Sequence, residues 1–313
     1  LPHLTGRYNL NFYGGEPLLC FDLILQILAF LEEKNRAFKK KVRYSITTNG
    51  SLVDGDIARA LSDHRFSVLF SFDGLAQDVH RKPGNVEEAV FALREIQKCS
   101  GIRLEVNSVF TPETVGLLSE SVEFILNLGV EDIHLSLSYV EPWKRTALGL
   151  LDREMTNLRK ILVSRYRKTA KIPLVDFREK EEGFFYCAAG QDRLTVTPQE
   201  KIWGCDLFAS YFEGKEELPG YGDYFFGDLD TFAGGHQKIF PRISSNYARL
   251  RLDNYQTPQM KCLFCENLEE CAFCPIAAAF SGYPPGRVPP FVCEIQKIKI
   301  REIKKFREEI KRD

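Results

Sequence analysis

Residues 11–19 read NFYGGEPLL: the end of an apolar strand, two glycines, one carboxylate, then a proline placed to open a helix. Paired glycines let a backbone approach another group closely. Proline is favoured at the first helical position, where its missing N–H would be unpaired anyway. A surface turn would accept Asp, Asn or Ser as readily as Glu16, so a lone glutamate here predicts a side chain that faces an incoming ligand.

The same strand–turn–helix unit recurs across residues 9–139. Strands are expected near 9–13, 43–48, 67–72, 103–109 and 132–138, and helices near 22–35, 54–63, 86–99 and 114–128, the last closed by Gly129. Such alternation predicts an α/β fold with a parallel sheet, either open or rolled into a barrel. Buried parallel strands are usually apolar on both faces. These strands are not: Ile133, Leu135 and Leu137 alternate with His134, Ser136 and Ser138, Asn107 stands between Val106 and Ser108, and "FSVLFSFDG" ends in Ser71 and Asp73. In a barrel this pattern gives a wet lumen able to hold a polar ligand; in an open sheet it gives a solvated edge. An amphipathic helix follows over 151–169, and from about residue 170 the text turns to glycines, aromatics and cysteines without α/β rhythm. The expected domains are 1–170 and 171–313, the second ending in a basic amphipathic helix.

With 44% hydrophobic residues the 313-residue chain can bury a large core, and its net charge of -1 leaves no footprint for nucleic acid or an anionic membrane. Neither is expected as a partner. The longest apolar run, "LILQILAFL", is too short to span a bilayer. No signal peptide is visible, and a cytoplasmic location is expected.

Of nine cysteines, Cys20 and Cys99 stand alone in helical text, while Cys187, Cys205, Cys262, Cys265, Cys271, Cys274 and Cys293 cluster towards the end. "CLFCENLEECAFC" is a C-x2-C-x5-C-x2-C pattern, in which two-residue spacers bring sulfurs to one side of a tight loop. Four thiolates suit tetrahedral zinc or an iron–sulfur cluster. One zinc would leave three of the seven thiols over, whereas two clusters would leave one iron without a cysteine.

"NFYGGEPLL", "ITTNG" and "SFDG", in that order on successive strand ends, resemble the radical S-adenosylmethionine (radical SAM) enzymes. "CAAGQDRLTVTPQEKIWGC", "CLFCENLEECAFC" and Cys293 resemble the SPASM domain that many of them carry. The resemblance implies a partial parallel (β/α) barrel with a cysteine-rich auxiliary-cluster domain. It also implies that Gly14, Gly15 and Glu16 meet the methionine end of S-adenosylmethionine, with Ser71, Asp73, Thr48, Asn49 and Asn107 around it. Cys262, Cys265, Cys271 and Cys293 would ligate an outer auxiliary 4Fe-4S cluster, and Cys187, Cys205 and Cys274 an inner one. The family's catalytic cluster is held by C-x3-C-x2-C after the first barrel strand. No such triplet occurs here, so the first strand and its loop are expected to precede Leu1 in a longer polypeptide, and the sequence as written would be inactive. Glu200 stands where the family usually has a turn glycine, and the spacer before Cys274 has two residues where three are common.

The implied activity is modification of a precursor peptide or protein side chain by a 5′-deoxyadenosyl radical, as a thioether or carbon–carbon crosslink, with flavodoxin or ferredoxin as reductant. Asp206, directly after Cys205, matches the proposed base of relatives that oxidise Cys or Ser to formylglycine, which makes sulfatase maturation the alternative. A non-catalytic, metal-stabilised scaffold is the reading from another class, and an electron-transfer protein a third.

Overall fold

The computed structural model describes residues 7–80, 85–179, 187–250 and 262–311. Its contacts divide the chain into two compact units: Leu1–Leu137 with Thr156–Arg178 and Phe306–Asp313, and Ser138–Met155 with Glu179–Lys305.

The first unit is built on five strands: β1 (Arg7–Phe12), β2 (Lys41–Thr48), β3 (Ser67–Ser71), β4 (Arg103–Phe110) and β5 (Ile133–Leu137). They pair in sequence order, every neighbour parallel. Between them run α1 (Phe21–Phe38), α2 (Gly55–Asp63), the short α3 (Gln77–His80), α4 (Val86–Gln97) and α5 (Leu118–Asn127). The termini form where the chain supplies caps. Asp54 accepts the amides of Asp56 and Ile57, Asn85 accepts that of Glu88, and Gly129 after α5 has φ +85°. Each such cap contributes about 1 kcal/mol.

Alternation along the strands separates two faces. Ile46, Val68, Phe70, Val106, Phe110, Ile133 and Leu135 are buried, as are Leu28, Leu61, Leu93 and Ile125 from the helices, and together these make the core. The opposite face is polar. The register sets Asn11 beside Ser45, Ser71 beside Asn107, and Asn107 beside His134. Asn9 donates to Ser45 Oγ at 2.7 Å, and Ser45 donates in turn to Asn11 Oδ1 at 2.8 Å. The wet face read from the alternation is present, and it is internally hydrogen-bonded.

The helix α6 (Arg145–Thr169) begins six residues before the expected 151. In the second unit, β6 (Thr195–Val196), β7 (Lys201–Trp203) and β8 (Phe225–Asp228) form an antiparallel sheet. Around it lie α7 (Asp206–Phe212), α8 (Tyr221–Tyr224) and α9 (Leu229–Arg249). Trp203 stacks on Phe212 with ring centroids 5.4 Å apart, and Phe208, Phe226 and Tyr247 are buried with them.

The 21-residue α9 runs through text whose glycines, aromatics and cysteines, without α/β rhythm, do not predict it. Gly234, Gly235 and Pro241 are poor helix formers and mask its period. Tertiary burial of Ile243, Ser244 and Tyr247 overrides them, aided by the Asp228 N-cap on the Thr231 amide at 2.7 Å. The terminal amphipathic helix is α10 (Pro290–Ile310), with Ile295, Ile300, Ile303 and Phe306 buried. Among the described residues, no helix is long and apolar enough to cross a membrane.

Candidate functional site

The Gly-Gly-Glu turn leaves β1 at its C-terminal end. Gly14 and Gly15 are exposed, and among the described residues no atom beyond their chain neighbours lies within 4 Å of where a Cβ would stand on either. Neither glycine is required by packing against the protein, so the space beside them is free for a ligand. Pro17 opens a short 3-10 helix, and Glu16 caps it by accepting the Leu18 amide at 3.1 Å.

Glu16 also reaches the next strand end. Its Oε1 accepts the Thr48 hydroxyl at 2.8 Å, and its Oε2 accepts the Asn49 amide at 2.8 Å. Thr48 Oγ1 in turn accepts the Gly50 amide at 3.0 Å, and Asn49 Oδ1 accepts that of Ser51 at 2.8 Å. Gly50 has φ +81°, and a Cβ there would stand 2.2 Å from the Phe70 ring, so only glycine fits. Three of the predicted residues, Glu16, Thr48 and Asn49, therefore form one network. A carboxylate offers about four acceptor positions. Among the described residues three are filled, which leaves one on Oε2 for a cationic donor.

The other predicted residues belong to the same sheet. Ser71 ends β3 beside Asn107, and Asn107 Oδ1 accepts the Ser136 hydroxyl at 2.8 Å. Asp73 is buried, and its Oδ1 accepts the Val109 amide at 2.8 Å, tying the β3 end to β4. The polar face carries a further pair that the motifs did not single out: His134 Nε2 lies 2.7 Å from Glu105 Oε2, with Arg103 Nε 3.1 Å from Glu105 Oε1.

In the second unit several of the cysteine thiols are perturbed by their surroundings. Cys205 is buried, and its thiol is pushed up to about 12. Burial is the main cause, with negative charge on Asp206 and Cys274 adding to it against the opposing amides of Phe208 and Leu207. Cys274 is raised by burial and then by Cys187 and Asp206. Cys262 is raised by burial, Cys293 and Cys265, and Cys293 by burial, Glu294 and Cys265, with Lys297 opposing. The thiols of Cys205 and Cys274, and those of Cys262 and Cys293, are thus all held above their ordinary range mainly by burial. Cys271 shares the outer loop, its amide donating to Asn267 O at 2.9 Å. Asp206 opens α7 within reach of the inner thiols' charge.

The donor chemistry fits a sulfur-ligated centre, because buried thiols that repel one another as thiolates need a compensating cation to lose their protons. Among the described residues, no group of three or more His, Cys, Asp or Glu side chains could hold a single metal ion. For S-adenosylmethionine, the open space at Gly14 and Gly15 and the unfilled acceptor of Glu16 fit an ammonium-bearing ligand.

Glu200 lies in the β6–β7 turn, where the Thr197 amide donates to Lys201 O at 2.9 Å. Its φ is +62°, the conformation that a glycine would adopt without strain.

The Radical SAM superfamily profile matches residues 3–125. The radical SAM cyclopropyl synthase TigE of Paramaledivibacter caminithermalis is 25% identical over 224 residues, covering 68% of this chain and 46% of TigE. A cysteine-type anaerobic sulfatase-maturating enzyme of Clostridium perfringens is 35% identical over 80 residues, which are 26% of this chain and 21% of that enzyme. The chain thus spans less than half the length of either relative. The solved structure of native anSMEcpe with bound AdoMet and Kp18Cys peptide superposes with a TM-score of 0.74 at 16% identity, over 98% of this chain and 87% of that one. With the profile match and this superposition, the chain has the radical SAM fold.

Proposed function

We propose that this protein is a radical SAM/SPASM enzyme that modifies a side chain of a peptide or protein. The observation that carries this reading is the Glu16–Thr48–Asn49 network beside the open space at Gly14 and Gly15. When bound, S-adenosylmethionine would supply, on taking up one electron and releasing methionine by cleavage of its C5′–S bond, the 5′-deoxyadenosyl group that takes a hydrogen atom from the substrate. The protein binds, orients and shields. Gly14 and Gly15 admit the methionine end of the cofactor, and Glu16 accepts from its ammonium group. Thr48 and Asn49 hold Glu16 in place. Ser71 and Asn107 present polar groups beside the cofactor, and Asp73 fixes the strand end from which Ser71 projects. The cysteine sets 187/205/274 and 262/265/271/293 would hold two auxiliary iron–sulfur clusters. A low-potential one-electron donor of the flavodoxin or ferredoxin class would supply the reducing equivalent.

The similarity to TigE and to anSMEcpe bound to a peptide supports a peptide substrate, with a crosslink or ring closure as its outcome. Asp206 favours a second reading, formylglycine formation, because it adjoins the inner thiols, where a base could take the substrate proton.

The test uses full-length protein, reconstituted anaerobically with iron and sulfide and reduced with dithionite. Formation of 5′-deoxyadenosine that is lost in Glu16→Gln supports the proposal. A protein that takes up zinc instead of iron and binds no S-adenosylmethionine is the scaffold of the rival reading. A Cys-containing sulfatase peptide separates the two enzymatic outcomes: formylglycine mass on that peptide favours the second.

A further inference from the structure

Two glycines flank the inner thiol set, Gly190 three residues after Cys187 and Gly204 directly before Cys205. Their backbones meet, with the Gly190 amide donating to Gly204 O at 3.1 Å. One side chain occupies the space beside both. A Cβ on Gly190 would stand 2.2 Å from the Tyr247 ring, and a Cβ on Gly204 would stand 2.4 Å from it. Both positions are therefore closed to any other residue by the same tyrosine.

Tyr247 is 3% exposed, and its hydroxyl is satisfied on both sides. Its Oη accepts the Gly204 amide at 2.8 Å and donates to Tyr224 O at 2.8 Å. The ring is wedged among Phe208, Tyr224 and Phe226, with centroids 4.7, 5.2 and 5.8 Å away. One turn earlier on α9, the Ser244 hydroxyl donates to Gly190 O, and Gln191 Nε2 donates to Ser244 O at 2.6 Å. Helix α9 thus grips the Cys187–Gly190 turn and the Gly204–Cys205 strand end from one face.

We propose that Tyr247 is the positioning residue of the inner cysteine set: its ring and hydroxyl fix the two glycine backbones that carry Cys187 and Cys205 at the separation their shared centre requires. The role is indirect, because the phenol holds the backbone and not the metal. Partners of this kind orient ligands, and their loss weakens metal binding about 10–100-fold. This inference rests on the reading that Cys187, Cys205 and Cys274 hold an auxiliary iron–sulfur cluster.

The test compares full-length, anaerobically reconstituted wild type, Tyr247→Phe, Gly190→Ala and Cys205→Ser. Iron content, electron paramagnetic resonance of the reduced clusters, thermal melting and iron loss to a chelator are read for each. Tyr247→Phe keeps the ring and deletes only the hydroxyl. The expected result is an altered resonance and about tenfold faster iron loss from one cluster, with the other cluster signals as in wild type and a lowered melting temperature, because the buried Gly204 amide loses its acceptor. Gly190→Ala, which drives a methyl group into the ring, should alter the same signal. Should Tyr247→Phe not fold, Gly190→Ala decides alone. An unchanged resonance and unchanged iron loss in the folded variants overturn the role of Tyr247, while Cys205→Ser still loses iron. If Cys205→Ser loses no iron, the cluster reading fails, and this inference with it.

Discussion

Glu16 Oε2 accepts the backbone amide of Asn49 at 2.8 Å, joining the turn after β1 to the turn after β2. The carboxylate is therefore a structural clamp as well as a candidate ligand. Glutamine has only one carbonyl oxygen, so Glu16→Gln must turn an N–H2 group towards the Asn49 amide or towards the Thr48 and Leu18 donors. Leaving such a donor unpaired costs about 1–3 kcal/mol, and the half-buried setting of Glu16 places the loss near the lower end. The urea midpoint of Glu16→Gln should fall accordingly. Thr48→Val, which removes a hydroxyl serving both Glu16 and Gly50, should fall by a similar amount.

The glycines of this rim separate ligand access from packing. Gly15→Ala adds a methyl group where no atom of the described residues beyond its neighbours lies within 4 Å, so its stability should match wild type within about 0.5 kcal/mol. Its affinity for S-adenosylmethionine should nevertheless drop. Gly50→Ala meets the Phe70 ring at 2.2 Å from a backbone with φ +81°. It should lose about 1–3 kcal/mol or more from overpacking and backbone strain. Thermal melting and ligand titration of the two variants give opposite patterns.

Glu200 holds a left-handed φ of +62° that costs an L-residue about 1–2 kcal/mol. Its backbone N–H donates to Thr197 O, and its carbonyl accepts from the Leu229 amide, both at 2.9 Å, so the turn does not depend on the side chain. Glu200→Gly should raise stability by about 0.5–1 kcal/mol, the strain relief being partly offset by the greater freedom of glycine in the unfolded chain. Chemical denaturation of the variant checks this directly.

Iron content distinguishes the cysteines. Cys205→Ser and Cys274→Ser should each lose about four irons per chain, one four-iron cluster. Cys20→Ser and Cys99→Ser, at positions in the first unit that belong to neither set, should lose none. Asp206→Asn should keep its iron and lose product formation, since the carboxylate adjoins the thiols without being one of them.

The sequence disclosed those parts of the fold that periodicity controls. Five strands with one apolar and one polar face were legible because Ile133, Leu135 and Leu137 alternate with His134 and Ser136, and the register then sets Asn107 beside both Ser71 and His134. The resemblance supplied the two cysteine sets, which no spacing rule would have separated. What could not be read were contacts made through folding. Asn49 meets Glu16 by its backbone amide, which any residue possesses, so composition carries no trace of it. Tyr247 sits in "SSNYARL", an ordinary helical phrase whose period is broken upstream by Gly234, Gly235 and Pro241. The one available signal was the pair Gly190 and Gly204 beside cysteines, glycines that wanted a bulky neighbour.

On the proposed reading, the acid of the glycine turn grips the amine of S-adenosylmethionine. Isothermal titration of S-adenosylmethionine into the full-length, cluster-loaded protein tests it most directly. Wild type should bind saturably, and folded Glu16→Gln at least about tenfold more weakly, a difference of about 1.4 kcal/mol. Equal affinity in the two proteins, or no binding to wild type, would contradict the account.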